Sequence, residues 1–342
     1  EDIKGEALAV PVSNINPYLV DAPDLVLEKR NQPICIVPTI SYGSMANDDG
    51  HLLLDKEQRN ALIAAEPATA PYIRRYMGAQ EFLNNAERWC LWLKDISPSL
   101  MRSSNELRHR IEAVRKFRAS SNREATRNLA ATPSLFGEDR QPLKSYLLLP
   151  KVSSENRPYM PIGFMPSEVI ANGSALTISD SGHYEMGVLQ SKMHMAWMRA
   201  VAGRMKSDYQ YSAQIVYNNF PWPDLPEQLE PNQHQTPTHK AQAAIEKAAQ
   251  AVLDARAQFP GSSLADLYDP LTMPPALLKA HQQLDKAVDA AYALCGGKKT
   301  WKNDAERVAF LFERYQHLTS LLPAVKGKGK EKTKGKAGRK QA

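Results

Sequence analysis

The sequence predicts an α+β chain: a mixed α/β domain over residues 1–225, a linker at 226–238, a small all-α unit over 239–322 and a disordered Lys-rich tail at 323–342. Three observations predict it. Pro17, Pro23, Pro33 and Pro38 interrupt the first sixty residues, and short apolar runs recur over 145–180, a pattern of strands and turns rather than long helices. Residues 224–238 are rich in Pro, Gln and Glu, the composition of a linker. Beyond them, apolar residues recur at three- and four-residue steps until a Gly/Lys-rich end that cannot build a core.

Taken in order, Asp21-Ala-Pro-Asp-Leu-Val-Leu27 and Ile34-Cys-Ile-Val37 are strand candidates, and Asn47-Asp-Asp-Gly50 is a turn before Leu52-Leu-Leu54. Residues 56–65 and 79–90 have helical character, and Trp89, Trp92 and Leu93 suit a buried element. Leu107, Ile111, Val114 and Phe117 predict a helix inside 103–130, broken near Ser120-Ser-Asn122. Tyr146-Leu-Leu-Leu149, Tyr159-Met-Pro-Ile-Gly-Phe164 and Ser174-Ala-Leu-Thr-Ile178 read as strands. Met186, Leu189, Met193, Trp197 and Val201 predict one apolar-faced helix over 184–206. Helices follow at 239–258, 274–293 and 303–322, with a short apolar piece at Leu264-Ala-Asp-Leu-Tyr268.

Length and composition allow two folded units with a sizeable core. No run of about 18 apolar residues occurs, so no membrane span is expected. The start, Glu1-Asp-Ile-Lys-Gly, lacks the apolar region of a signal peptide and reads as a point inside a longer protein. Cys35, Cys90 and Cys295 lie far apart, which gives neither a metal spacing nor a disulfide framework; a reducing cytoplasm is the expected compartment. The net charge of +6 arises in the tail, where residues 326–342 hold seven Lys, one Arg and one Glu; the rest of the chain carries −1. Any nucleic-acid argument must therefore rest on local charge.

One local concentration stands out. Arg102, Arg108, Arg110, Arg115, Lys116, Arg118, Arg123 and Arg127 surround the 103–130 pattern, opposed only by Glu106, Glu112 and Glu124. Charge runs usually mark a solvated face, but this one is lopsided, and a helix holds cationic heads at the spacing that phosphates need. Glu155 and Arg157 stand two apart in Ser153-Ser-Glu-Asn-Arg157. In an extended segment both would point the same way. Arg can then bond guanine while Glu accepts from cytosine; on the residues alone, a surface ion pair of little worth is the stronger reading. Asn16-Pro-Tyr18 resembles half of an amino-methylase loop but lacks the second Pro, and no Gly-rich loop follows a strand, so it reads as a turn. His194, Trp197, Phe220 and Trp222 read as core, and Asp48, Asp49 and His51 as a turn rather than a metal site. No catalytic residue and no metal ligand is expected.

Several longer stretches resemble one family. They include Ile15-Asn-Pro-Tyr-Leu-Val20, Tyr42-Gly-Ser-Met-Ala-Asn-Asp-Asp-Gly-His-Leu-Leu-Leu54, Trp89-Cys-Leu-Trp-Leu93 and Phe136-Gly-Glu-Asp-Arg-Gln141. Further on come Ser191-Lys-Met-His-Met-Ala-Trp-Met-Arg-Ala200, Ser207-Asp-Tyr-Gln-Tyr-Ser212, Tyr217-Asn-Asn-Phe-Pro-Trp-Pro223, Asp285-Lys-Ala-Val-Asp-Ala-Ala-Tyr292 and Asp304-Ala-Glu-Arg-Val-Ala-Phe310. On them the chain resembles the C-terminal half of MmeI-like proteins, which are type IIL restriction–modification enzymes and related adenine-N6 DNA methyltransferases. It departs where Asp48-Asp-Gly50 replaces the more usual Asp-Gly-Gly and Ala46 replaces a common Pro.

The resemblance implies a DNA target-recognition domain followed by a helical C-terminal domain, with nuclease and methylase domains lying earlier in a parent protein. It implies that Glu155 and Arg157 read one base, that Asn122, Arg123 and Thr126 belong to another reading segment, and that Arg102, Arg108, Arg110, Arg115, Lys116, Arg118 and Arg127 contact phosphates. The implied partners are double-stranded DNA and the methylase domain of the same parent, with no membrane and no small-molecule substrate in this chain. S-adenosylmethionine would belong to the parent and no cofactor to this chain, which alone is expected to be inactive. The implied location is the cytoplasm, at the nucleoid. Two rivals are an enzyme of unfamiliar type and a protein-interaction module of a DNA-modification complex.

Overall fold

In the computed structural model the described residues are 11–223 and 236–320; most of the expected linker and the tail at 323–342 lie outside them. The strands are β1 (Ile40–Tyr42), β2 (Leu53–Leu54), β3 (Ile73–Met77), β4 (Trp89–Leu91), β5 (Tyr146–Pro150), β6 (Val152–Ser153), β7 (Gly163–Met165), β8 (Ile170–Ala171), β9 (Ala175–Ser179), β10 (Gly203–Met205) and β11 (Asp208–Gln210). The helices are α1 (Lys56–Ala65), α2 (Ala79–Asn84), α3 (Pro98–Ser103), α4 (Asn105–Ala119), α5 (Glu124–Asn128), α6 (His183–Leu189), α7 (Lys192–Val201), α8 (Pro237–Ala257), α9 (Leu264–Leu267), α10 (Pro275–Ala293) and α11 (Asp304–Ser320). The fold is therefore mixed α/β with small sheets, followed by a helical region.

Three small sheets organise the first part. The order β1-β9-β5-β7 is antiparallel throughout. In β2-β4-β3-β8, only β3 and β8 run parallel. The third sheet is β10-β11-β6. Every residue of β5 is buried, which explains its unbroken apolar run: both faces are covered. The first two sheets meet where Gly43 passes the backbone at Asn172; a Cβ there would stand 2.3 Å from the Asn172 carbonyl oxygen.

Local chemistry explains most of the helix ends. Ser104 caps α4 by accepting from the Leu107 N–H at 3.0 Å. The buried stripe of α4 is Leu107, Ile111, Val114 and Arg118, whereas Phe117, expected inside, is exposed. The helix expected at 79–90 stops at Asn84; Asn85 adopts a left-handed φ of 54° and the chain then enters β4. The helix expected at 184–206 is two helices and a strand. Ser191 starts α7 by capping the His194 N–H at 3.3 Å, while the Gln190 side chain donates to the Met160 carbonyl at 3.1 Å.

The strands expected at 21–27 and 34–37 do not form. Single bonds hold this segment instead: Arg30 N–H to the Gln214 carbonyl at 3.1 Å and Ile34 N–H to the Asn218 carbonyl at 2.9 Å. Asn218 and Asn219 donate from their side chains to the carbonyls of Arg30 and Glu28. Pro33 and Pro38 have no N–H to offer a ladder.

The main core is continuous from the sheets into the C-terminal helices. It runs from Leu147 and Ile178 through Met186, Met193 and Trp197 to Ile245, Leu284, Val288 and Phe312. Gly187 lets α6 lie close on α8: a Cβ at that position would come 2.7 Å from Ile245 Cγ2. A second core, with Leu52, Leu54, Cys90 and Leu91, lies beneath α4. No described helix is long and apolar enough to cross a membrane.

Candidate nucleic-acid interface

The basic helix divides into exposed cations and structural ones. Arg102, Arg108, Arg115, Lys116, Arg123 and Arg127 are exposed. Arg108 and Arg115 stand seven residues apart, on one line of α4 about 10 Å apart. Arg115 pairs with Glu112 at 2.9 Å, both half-exposed, which leaves the guanidinium free to exchange partners. Arg127 donates to the Ser121 carbonyl at 2.9 Å and holds the turn that bears Asn122 and Arg123. Thr126 is half-buried on α5 beside them.

Arg118, expected at a phosphate, is fully buried. Its Nε donates to Asn47, Nη1 to Leu129 and Thr132, and Nη2 to Ala46 and Leu135, all backbone carbonyls at 2.7–3.0 Å. All five guanidinium N–H groups are spent. Burial pulls its pKa down, with Asp48 opposing. Arg118 is thus a scaffold residue. Arg110 is largely enclosed as well: it pairs with Glu106 at 2.7 Å and donates to the His51 carbonyl at 3.0 Å.

The segment carrying Glu155 and Arg157 is a turn, not an extended strand. The Arg157 N–H donates to the Ser154 carbonyl at 3.3 Å and the Asn156 N–H to Ser154 Oγ at 3.3 Å. The two side chains accordingly part company. Glu155 is exposed and pairs with Arg204 at 3.1 Å. Arg157 is half-buried; burial lowers its pKa, and Asp208 and Asp269 oppose that.

Arg204 arrives on the β10–β11 hairpin, where the apolar pattern predicts the end of a helix. Strand β11 pairs with β10 on one side and with β6 on the other, so Tyr209 faces both Arg204 and Ser153. The Arg204 guanidinium lies over the Tyr209 ring at 3.9 Å. Residues 203–207 are all exposed, and Lys206 takes a left-handed φ of 56° at the turn. The missed signal was Gly203 and Ser207 bracketing a short polar piece, the composition of a turn. Arg204, Lys206 and Glu155 form one exposed edge of two cationic donors with one acceptor.

Other candidates resolve into structure. The Asn16 side-chain oxygen accepts from the N–H groups of Tyr18 and Val20 at 3.0 and 3.1 Å, a turn that seats Tyr18 against Phe312. Asp48 accepts from the Leu52 N–H at 2.6 Å in a turn where Asn47, Asp49 and Gly50 all have positive φ. Among the described residues no group of three His, Cys, Asp or Glu is placed to hold a metal ion. His194 is buried 3.0 Å from the Tyr211 hydroxyl, and burial pushes its pKa down to about 3. Trp197, Phe220 and Trp222 are core, as expected.

Comparison with known proteins gives this surface a context. Residues 21–224 match the target-recognition domain of MmeI, and residues 237–323 match the MmeI C-terminal domain. DNA methyltransferase A of Bacillus subtilis (strain 168) is 36% identical over 308 residues, which are 90% of this chain and 33% of that protein. The structure of the type IIL restriction–modification enzyme MmeI in complex with DNA superposes with a TM-score of 0.83 at 46% identity, covering 93% of this chain and 40% of that one. The chain therefore spans about a third of the curated relative and two fifths of MmeI. These matches show that the chain belongs to the MmeI family, of which it carries the target-recognition and C-terminal domains.

Proposed function

We propose that this chain is the DNA specificity portion of a restriction–modification enzyme: it selects a duplex site for methylation carried out by another part of the same protein. The observation that carries the reading is the likeness to DNA-bound MmeI over 93% of the chain. In this reading Arg102, Arg108, Arg115, Lys116 and Arg127 contact phosphates and set the register. The edge formed by residues 154–157 and the β10–β11 hairpin presents Glu155, Arg157, Arg204 and Lys206 to base edges in the major groove. Arg and Lys suit guanine O6 and N7, and Glu suits the cytosine amino group. Asn122, Arg123 and Thr126 form a second reading segment. The Glu155–Arg204 pair opens or re-forms around the base it reads. S-adenosylmethionine and the extruded adenine belong to the methylase domain, against which this chain packs in the parent. The place of action is the cytoplasm, on chromosomal or invading DNA.

The test is selection of bound duplexes from a randomised library at moderate salt. The expected result is an asymmetric motif that changes at a defined position in Glu155→Lys. Five phosphate contacts also predict a slope of about −4.5 in log affinity against log salt concentration. Binding of every duplex alike, with no motif, would favour instead a basic surface serving an acidic protein partner.

A further inference from the structure

The segment between β6 and β7, residues 154–162, has no ladder partner of its own, yet it carries the turn with Glu155 and Arg157. Besides the Gln190 bond to the Met160 carbonyl, it is held at three successive points that each lead to a different C-terminal helix. At the first, Arg199 of α7 donates to the Arg157 carbonyl at 3.3 Å and pairs with Asp304 of α11 at 2.8 Å. At the second, the Tyr159 hydroxyl donates to Asp285 of α10 at 2.7 Å, and its ring stacks on His281 with centroids 4.1 Å apart. At the third, Arg256 of α8 donates to the Ile162 carbonyl at 2.6 Å. Asp285 also accepts from the Lys192 N–H at 2.7 Å, so the same carboxylate holds Tyr159 and the start of the helix bearing Arg199. Tyr159 and Asp285 are both buried.

We propose that the C-terminal helices are a positioning element for base reading: through Tyr159–Asp285 and Arg199–Asp304 they fix the turn that presents Glu155 and Arg157, so residues that never touch DNA determine specificity. The inference rests on the DNA-reading function proposed above. The physical reason is preorganisation. A turn that was loose in the free protein would have to be ordered on the DNA, and that cost would fall on cognate and near-cognate sites alike. A turn already fixed lets a mismatched base show its unpaired groups in full. Cations on α4 make none of these contacts, so phosphate affinity is independent of them.

Two variants separate this from a purely structural role. Tyr159→Phe removes one hydroxyl and keeps the ring on His281. Asp304→Asn, at a half-exposed site, loosens Arg199; the buried Arg307 loses a 3.7 Å pair with Asp304 but keeps Asp289 at 3.0 Å. Each is put through duplex selection beside the unaltered chain, together with thermal unfolding and the salt dependence of binding to random duplex. The expected result is a motif blurred at one or two adjacent positions, where discrimination falls by about three- to tenfold, the size of one lost hydrogen bond. Affinity for random duplex and its salt slope stay within about twofold. A motif equally sharp at every position, or blurred uniformly along its length, in both variants overturns the inference and leaves the DNA-reading function standing. If the unaltered chain selects no motif at all, the function itself fails and this inference falls with it.

Discussion

Replacing Arg118 by Met tests whether the densest cation of the basic helix serves the fold or the DNA. The substitution keeps an unbranched apolar stem, stops short of the guanidinium and removes all five hydrogen bonds. The carbonyls of Ala46, Leu129 and Thr132 keep a second donor, the N–H groups of Gly137, Thr132 and Leu135 respectively. The carbonyls of Asn47 and Leu135 accept from no other group among the described residues. Both carbonyls are only partly buried, so each orphan costs about 1 kcal/mol, the low end of the range for an unsatisfied group. The loss is therefore about 2 kcal/mol, a large fraction of a domain's stability. Equilibrium urea denaturation followed by tryptophan fluorescence measures it. Where the variant remains folded, the salt slope of DNA binding should equal that of the unaltered chain. A stability change below about 1 kcal/mol, with the slope flattened by about one unit, would refute the reasoning and return Arg118 to a phosphate.

The opposite behaviour is expected of Arg115→Ala and Lys116→Ala, which are exposed: stability should change by less than about 0.5 kcal/mol, while each substitution lowers the salt slope by about 0.9, read by fluorescence anisotropy across a salt series. Asp285 makes a pH prediction. Burial raises its pKa from 3.8 to about 6, against the Lys192 N–H, the Tyr159 hydroxyl and the Lys192 charge, with Asp289 adding to the rise. The folded state therefore holds the proton more tightly than the unfolded chain. This contribution is fully present below about pH 4 and is lost as pH rises through about 6, a change of about 3 kcal/mol. Asp285→Asn should remove that fall between pH 4 and 7 in urea midpoints; parallel profiles for the two proteins would contradict it.

Much of the fold was legible in the residues. The stripes of α1, α4, α8, α10 and α11 repeat at helical spacing, and Asn47-Asp-Asp-Gly50 carries the chemistry of a turn. Each of these elements is decided by interactions within a few residues of itself, such as Ser104 capping Leu107. The lopsided charge around α4 and the core character of His194, Trp197 and Trp222 were legible for the same reason: pattern and composition are local.

Other features depended on partners far along the chain. Residues 21–37 have strand composition but find only single bonds from residues 214–219, so no ladder forms. The apolar pattern running through residues 184–206 concealed a cap at Ser191 and a hairpin that closes on β6 some fifty residues earlier. Glu155 and Arg157 looked like a pair because side chains two apart share a side of an extended strand; a turn separates them and gives Glu155 to Arg204. The sequence by itself determined the longer helices α1, α4, α8, α10 and α11, where charge accumulates and which family the chain resembles. Only the tertiary structure decided which of those charges meet solvent, because a guanidinium is buried or free according to whether distant carbonyls converge on its five donors, as they do at Arg118 and not at Arg115.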